Sequence, residues 1–256
     1  MRRSKPYLSP DTFRFLAHRG LAVAADGSQI DENTAKAFSR ALEVGATHIE
    51  TDIQGSRDGV AMVAHDDDLV RIAGVTKKVS ELDAAELMAL PLKHGGRIIS
   101  LEQALSDFPT AKFNLDIKSE NAIAGTIDVI QRLGAHDRVL ISSFSENRRL
   151  AALAGLTGVA TSASATGLLS VWFAWRFGAK RRLAELLSDV DALQLPTHRG
   201  LIRFDSVNFI AEVRKHGVEL HFWTVNDPML ARVLRARGAN GLVSDRIDNI
   251  IVALAE

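Results

Sequence analysis

Short apolar runs of strand length alternate with helix-length stretches from one end of the chain to the other, and this alternation limits the fold more than any other feature. Apolar or β-branched runs stand at 13–17, 49–53, 60–64, 112–117, 138–142, 159–162, 192–195, 219–225 and 241–244. The second and third are joined by Ser56-Arg57-Asp58-Gly59, a turn so tight that they must pair antiparallel. The third therefore cannot lie in a parallel sheet beside its partner, and eight strands remain. Nearly every gap between the eight holds a helix. Asn33 is predicted to cap the first, which stops at Gly45; Ser100 is predicted to cap another, ending near Asp107. Further helices are predicted over 121–133, 146–154, 168–188, 206–216, 226–237 and from Asp245 onward. Eight strand–helix units in 256 residues predict an α/β chain folded as a (β/α)8 TIM barrel, a single domain over 1–256. A segment of about 55–99, weakly periodic beyond 66, is predicted to be inserted after the second strand. A doubly wound open sheet is the alternative, but no Gly-x-Gly-x-x-Gly follows any strand.

Composition removes several function classes. The apolar share is 46% and the charged share 24%, as in ordinary globular domains. Lys plus Arg number 31 and Asp plus Glu 31, so no global charge argues for nucleic acid or a membrane surface. The chain has no cysteine, which excludes disulfides, zinc–thiolate sites and thiol catalysis. Met1-Arg2-Arg3-Ser4-Lys5-Pro6 is basic, but no apolar stretch follows before Pro10, so no secretion signal is predicted. The longest apolar run, 166–179, is interrupted by Arg176 and too short to span a bilayer. A cytoplasmic location is the expectation, with peripheral membrane contact as the alternative.

The candidate chemistry starts at Ile49-Glu50-Thr51-Asp52-Ile53. Side chains two apart on a strand share a face, so Glu50 and Asp52 project together with Thr51 opposite. Adjacent carboxylates repel and are costly to bury unpaired, so a positive charge is expected between them; a hard divalent cation suits their oxygens. Alone, the pair also fits a solvated strand. In a (β/α)8 barrel, however, the C-terminal strand ends form one rim, and the polar residues fall there. His18 and Arg19 end the first strand, Asp116 and Lys118 follow 112–117, and Ser142-Ser143 closes 138–142. Trp223 lies near the end of 219–225, and His65 ends the inserted arm that leaves the same rim. Each has a plain reading: a strand cap for His18, a solvated turn for His65-Asp66, a surface charge for Arg19, a self-satisfied ion pair for Asp116 and Lys118, a core position for Trp223. Placement on one rim counts against all of these together. Glu50, Asp52 and Asp116 suit one divalent cation, Mg²⁺ or Ca²⁺, with positions left open for water or substrate. Arg19 and Lys118 favour an anionic substrate such as a phosphate. Two histidines can serve as acid and base near neutral pH. Together these describe phosphodiester cleavage.

The ordered set His18-Arg19-Gly20, Glu32-Asn33-Thr34, Glu50-Thr51-Asp52, His65-Asp66, Asp116-Ile117-Lys118, Ser142-Ser143-Phe144 and Trp223-Thr224-Val225 resembles the glycerophosphodiester phosphodiesterases. Each piece is weak alone; the order and the span of 17–245 are specific. The resemblance implies a TIM barrel with an insertion after the second strand. It implies a divalent metal on Glu50, Asp52 and the acid of the Asp116-Ile117-Lys118 motif, and His18 and His65 as general acid and base. Arg19 and Lys118 would meet the phosphate, with Trp223 as a substrate contact, and the products would be an alcohol and glycerol 3-phosphate. In such a family the substrate's own glycerol hydroxyl can attack phosphorus first, through a cyclic phosphate. Two departures stand out: Asp116 occupies a position where the family usually has Glu, and Asp31 one where it has Pro. The shorter Asp116 requires a cation nearer its strand or a bridging water.

Three further features are read outside that set. His198-Arg199-Gly200-Leu201 repeats His18-Arg19-Gly20-Leu21 and could reach the same rim, but no carboxylate pair follows it, so it reads as a loop. His48, in register with Glu50 but deeper, reads as a core histidine. Trp172, Phe173, Trp175 and Phe177 beside Arg176, Lys180, Arg181 and Arg182 read as a helix packed on the barrel. The alternative there is a lip or interfacial helix, giving lipid contact through 166–182. The leading function is a metal-dependent hydrolase of small-molecule glycerophosphodiesters. A lysophospholipase D and a catalytically silent phospho-ligand barrel are the alternatives.

Overall fold

The computed structural model describes residues 5–23 and 27–255. The first four residues of the basic N-terminal stretch lie outside the described residues. In chain order the elements are β1 (Arg14–His18), α1 (Ala35–Glu43), β2 (His48–Gly55), β3 (Ala61–Val63), β4 (Asp68–Leu69), α2 (Val70–Ala73), β5 (Val75–Lys78), α3 (Ala84–Ala89), α4 (Leu101–Asp107), β6 (Lys112–Ile117), α5 (Ala122–Arg132), β7 (Val139–Ser142), α6 (Glu146–Ala154), β8 (Ala160–Thr161), α7 (Ala165–Arg176), α8 (Lys180–Ser188), β9 (Ala192–Leu195), β10 (His198–Arg199), β11 (Ile202–Arg203), α9 (Val207–Lys215), β12 (Glu219–Phe222), α10 (Pro228–Ala236), β13 (Gly241–Ser244) and α11 (Ile247–Ala255).

Eight strands run parallel in the order β1-β2-β6-β7-β8-β9-β12-β13, and β13 pairs back onto β1. A single parallel bridge, Ser162 to Ala192, closes the seam between β8 and β9. β3 folds back antiparallel on β2, with Ile53 opposite Val63. The predicted (β/α)8 barrel with its hairpin arm is therefore the fold observed. Outside the barrel, Ile49, Ile53, Phe113, Leu115, Ile141, Leu193, Leu195, Leu220, Phe222 and Leu242 are fully buried in one core with the inner faces of the helices. Each such side chain contributes about 1.5–3 kcal/mol by leaving water. The arm forms a second apolar cluster of its own around Met62, Leu69, Val79, Leu82, Leu87 and Ile98.

Serine and threonine caps set where the helices leave the rim. Ser100, Ser145, Ser164 and Ser206 each accept the backbone N–H three residues on. At α1 the cap is Thr34 and not Asn33. Asn33 has a left-handed backbone (φ 56°) and turns its side chain inward, where Thr51 Oγ1 donates to its Oδ1 at 2.7 Å. The predicted helix over 168–188 is two helices, because Gly178 takes a left-handed φ of 69° and ends the first of them.

Candidate active site

Strand register brings the predicted residues into rows. His18 lies opposite Glu50 across β1 and β2, and Asp52 opposite Asp116, which lies opposite Ser142. His18, Arg19, Glu50, Asp52, His65, Asp116, Lys118 and Trp223 all line one cavity of about 630 Å³ at the C-terminal rim. Arg19 is aimed there by a left-handed backbone (φ 57°), an uncommon conformation for a side chain of this size. Its N–H donates to Glu50 O at 2.8 Å, and its carbonyl accepts from Asn33 N at 2.9 Å. Gly20 is required next: a Cβ there would lie 2.7 Å from the Ala37 carbonyl carbon, so α1 could not approach.

The two histidines are each held by a carboxylate. His18 Nδ1 meets Asp245 Oδ1 at 2.5 Å, and Asn226 Nδ2 donates to the other Asp245 oxygen at 2.8 Å. His65 Nδ1 meets Asp66 Oδ1 at 2.6 Å. In both, Nε2 is the ring nitrogen left for chemistry. Burial alone would lower the His18 pKa, but the hydrogen bond to Asp245 and the Glu50 charge outweigh it, and the net shift is upward.

Around them the charges interlock. The Lys118 ammonium lies between Asp116 Oδ2 (2.6 Å) and Asp52 Oδ1 (3.0 Å). Arg19 Nε stands 3.2 Å from Asp52 Oδ2, and its Nη1 donates to Glu32 Oε1 at 3.0 Å. Burial would raise the Asp52 carboxyl, but Lys118 and Arg19 hold it below its usual range. Glu50 is left out of this pairing: burial, and then the Asp52 charge, push its carboxyl up to about 8. The positive charge expected between Glu50 and Asp52 is found instead between Asp52 and Asp116, supplied by Lys118.

Two buried oxygens, Glu50 Oε2 and Asp116 Oδ1, have no hydrogen-bond partner. Leaving a buried carboxylate oxygen unmatched costs several kcal/mol, and both belong to the acids proposed as metal ligands. Hard oxygen donors with unused lone pairs fit a divalent cation. Among the described residues, no three His, Asp or Glu side chains are gathered in a finished cage. A cation would compete with the Lys118 ammonium for the aspartate oxygens.

The opposite wall is apolar. Leu168 and Leu169 of α7, Pro196, and Phe204 line it, with Phe144 and Trp223 edge to face at 5.9 Å. Lys118 Nζ lies 5.4 Å from the centre of the Phe144 ring. His198 and Arg199 also line the cavity, on a small hairpin formed by β10 and β11, so the repeated motif does reach the rim. His48 is buried below, as expected, its ring edge-on to Tyr7 at 4.8 Å. Several working residues were not foreseen. Asp245 directly follows the last strand, and the rule that polar strand ends gather at the rim would have found it. Asp66 stands beside His65 with no role expected of it, and Asn33 is expected only to cap α1. Arg71, which joins Glu32 to Asp66 at 2.6 Å each, lies in a stretch with no periodic signal.

Comparisons with known proteins agree with this geometry. The family model for the "Glycerophosphoryl diester phosphodiesterase family" matches residues 18–249. "Probable glycerophosphodiester phosphodiesterase 2" of Mycobacterium tuberculosis is 35% identical over 96% of this chain and 96% of its own length. "Lysophospholipase D GDPD3" of Mus musculus is 34% identical over 42% of this chain and 35% of its own length. Among solved structures, an Oleispira antarctica phosphodiesterase in complex with sn-glycerol-3-phosphate superposes with a TM-score of 0.76 at 23% identity, covering 94% of this chain and 96% of that one. At that identity the likeness speaks for the fold.

Proposed function

This chain belongs to the glycerophosphoryl diester phosphodiesterase family, and from that premise we propose that it hydrolyses small glycerophosphodiesters to an alcohol and glycerol 3-phosphate with the rim residues described above. The observation that carries the assignment of roles is the pair of histidines in one cavity, each held through Nδ1 by its own carboxylate. His18 and His65 act as the general acid and base: one removes the proton of the attacking hydroxyl, the other protonates the departing alkoxide. Arg19 and Lys118 hold the phosphoryl oxygens, where charge builds in the transition state. Glu50, Asp52 and Asp116 would hold one divalent cation, Mg²⁺ or Ca²⁺, which as a Lewis acid would further neutralise the phosphoryl group. The Phe144–Trp223 pair faces the remainder of the substrate.

The apolar wall of Leu168, Leu169, Pro196 and Phe204 supports a second reading, hydrolysis of lysophospholipids, in which the acyl chain carried on the glycerol moiety lies along it while the headgroup alcohol departs. Segment 166–182 would then meet lipid. One assay separates the readings. Glycerol 3-phosphate release from glycerophosphocholine and glycerophosphoethanolamine, and lysophosphatidate release from lysophosphatidylcholine, are followed with a panel of divalent cations and with chelator. Faster turnover of the deacylated substrates supports the first reading. Ligand binding without turnover by the parent, under every cation, makes the barrel a silent binder and overturns both.

A further inference from the structure

We propose that the α7 C-terminus and the β10–β11 hairpin together form a docking lip for an anionic bilayer, set at the mouth of the cavity. The proposal deepens the lipid contact read for segment 166–182, and rests on the cavity mouth being where substrate enters.

A helix that follows a barrel strand ordinarily runs back down the barrel side. α7 stays high. Trp172, well along it, donates from Nε1 to the Arg203 carbonyl at the base of the hairpin (3.0 Å). Trp175, a turn later, packs edge to face on Phe209 in the first turn of α9, at 5.2 Å. Both partners belong to elements that begin at the C-terminal rim. Leu168 and Leu169, at the start of the same helix, line the cavity, as do His198 and Arg199 of the hairpin.

The outer side of this lip is apolar without cover. Leu201, at the hairpin tip, is fully exposed, and Phe177 is 77% exposed. Phe173 is exposed too, and its ring stacks on Phe177 with the planes 4° apart. With Phe144 at the cavity wall, these are all the exposed large aromatic residues among the described residues. Large exposed apolar side chains clustered in one place mark an interaction surface, whereas scattered ones do not.

Charge selects the occupant. Arg176 lies between the two phenylalanines in sequence and Lys180, Arg181 and Arg182 follow them, against the single acid Glu185 before α8 ends, in a chain whose formal net charge is zero. All four basic residues are exposed. A second protein would need shaped apolar complementarity, whereas fluid lipid accepts a few protruding rings and a leucine beside cations that meet its phosphates. The geometry matches an anionic bilayer surface, with Leu201, Phe173 and Phe177 entering the headgroup layer.

The test uses the full chain and two vesicle preparations, phosphatidylcholine alone and phosphatidylcholine with phosphatidylglycerol. The parent is expected to co-sediment with the anionic vesicles at least tenfold better than with the neutral ones, and to lose this in high salt. Leu201→Asp with Phe177→Asp, and separately Arg181→Glu with Arg182→Glu, are each expected to weaken binding tenfold or more. Turnover of soluble glycerophosphocholine should be unchanged in both, which reports folding and keeps the hydrolase reading separate. Quenching of the parent's tryptophan emission by bromine-labelled lipid needs no variant and places the lip at the bilayer. Absence of vesicle binding or of quenching overturns the proposal. So do equal binding to both vesicles, full binding by the variants, and a concentration-dependent dimer that Leu201→Asp disperses.

Discussion

The two ends of the barrel interior are both polar, yet they are completed to different degrees. At the lower end, Arg14 meets Glu219 through two nitrogens, at 2.9 and 3.2 Å, and also donates to the Leu8 and Pro10 carbonyls. His221 Nε2 meets the same carboxylate at 2.9 Å, and Lys112 Nζ donates to the Tyr7 carbonyl at 2.8 Å. The buried atoms left without partners there are Tyr7 Oη and His221 Nδ1. At the rim the unmatched atoms include two carboxylate oxygens, Glu50 Oε2 and Asp116 Oδ1, beside Arg19 Nε and Gln194 Nε2. Low dielectric magnifies both a satisfied charge and an unsatisfied one. The lower end therefore uses its charges for stability, while the rim keeps an electrostatic deficit that a cation and a phosphate can fill.

The largest effect should come from removing a rim histidine. His65→Ala is expected to lower kcat by ~10²–10⁴-fold. The melting temperature should stay within a few degrees, since the side chain is one-third exposed and its ring hydrogen-bonds the neighbouring Asp66. A variant that unfolds would erase the contrast between the ends. The converse change is Glu219→Ala, which strands the Arg14 guanidinium in a buried position and should cost about 3–5 kcal/mol of stability. Turnover per folded molecule should hold, because Glu219 does not line the cavity. Urea denaturation and active-site-normalised rates check both halves.

Acid separates the ends further. Glu219 is held at about 2 against an ordinary 4.5: burial would raise it, but His221 and Arg14 outweigh that. Its contribution is full above pH 4.5 and is lost as pH falls toward 2, amounting to about 3 kcal/mol. Burial, and then the nearby His221, hold His48 neutral, with its pKa at about 3 against 6.5, so its contribution is full above pH 6.5 and falls toward pH 3. Stability measured by urea midpoints should thus decline from pH 6.5 to 2, and Glu219→Gln should flatten the lower part of that curve. An unchanged curve would show that the lower end does not carry the acid sensitivity.

The rim's deficit can be probed by filling it. Magnesium or calcium at about one hundred times its dissociation constant should stabilise the chelated parent by ~2.7 kcal/mol. Glu50→Gln should abolish most of that gain, since it removes the acid whose oxygen is unmatched. A thermal shift of equal size in parent and variant would place the cation elsewhere.

These contrasts also mark what the sequence could disclose. Period-two runs, Ser caps and Gly stops are local, so strands such as Lys112–Ile117 and Glu146–Ala154 as a helix were readable to the residue. Rim residues were readable because strand ends converge by topology. Long-range partners were not. Nothing local to Asp245 says that it holds His18, 227 residues away. The lower-end network was missed for the same reason, as Arg14 and Glu219 are 205 residues apart. The break at Gly178 was missed because a helix-period pattern continues on both sides of it.

The smallest expected effect concerns the inserted arm, and it tests how far the rim extends. Arg71 follows β4 and belongs to α2, outside the barrel, yet its Nη2 meets Glu32 Oε1 and its Nε meets Asp66 Oδ2, both at 2.6 Å. Glu32 in turn accepts from Arg19, and Asp66 holds His65. One guanidinium thus ties Arg19, proposed to hold the phosphate, to His65, proposed as acid or base. It is about half exposed, so water and salt weaken each contact, and its loss should be modest. Arg71→Ala is expected to lower kcat by about tenfold, near 1.4 kcal/mol of barrier, with a smaller change in KM. Arg71→Lys cannot span both carboxylates with one planar fork and should recover only part of the rate. Equal losses in kcat/KM through KM alone would mean that Arg71 acts on substrate binding, through Arg19, and not on the orientation of His65.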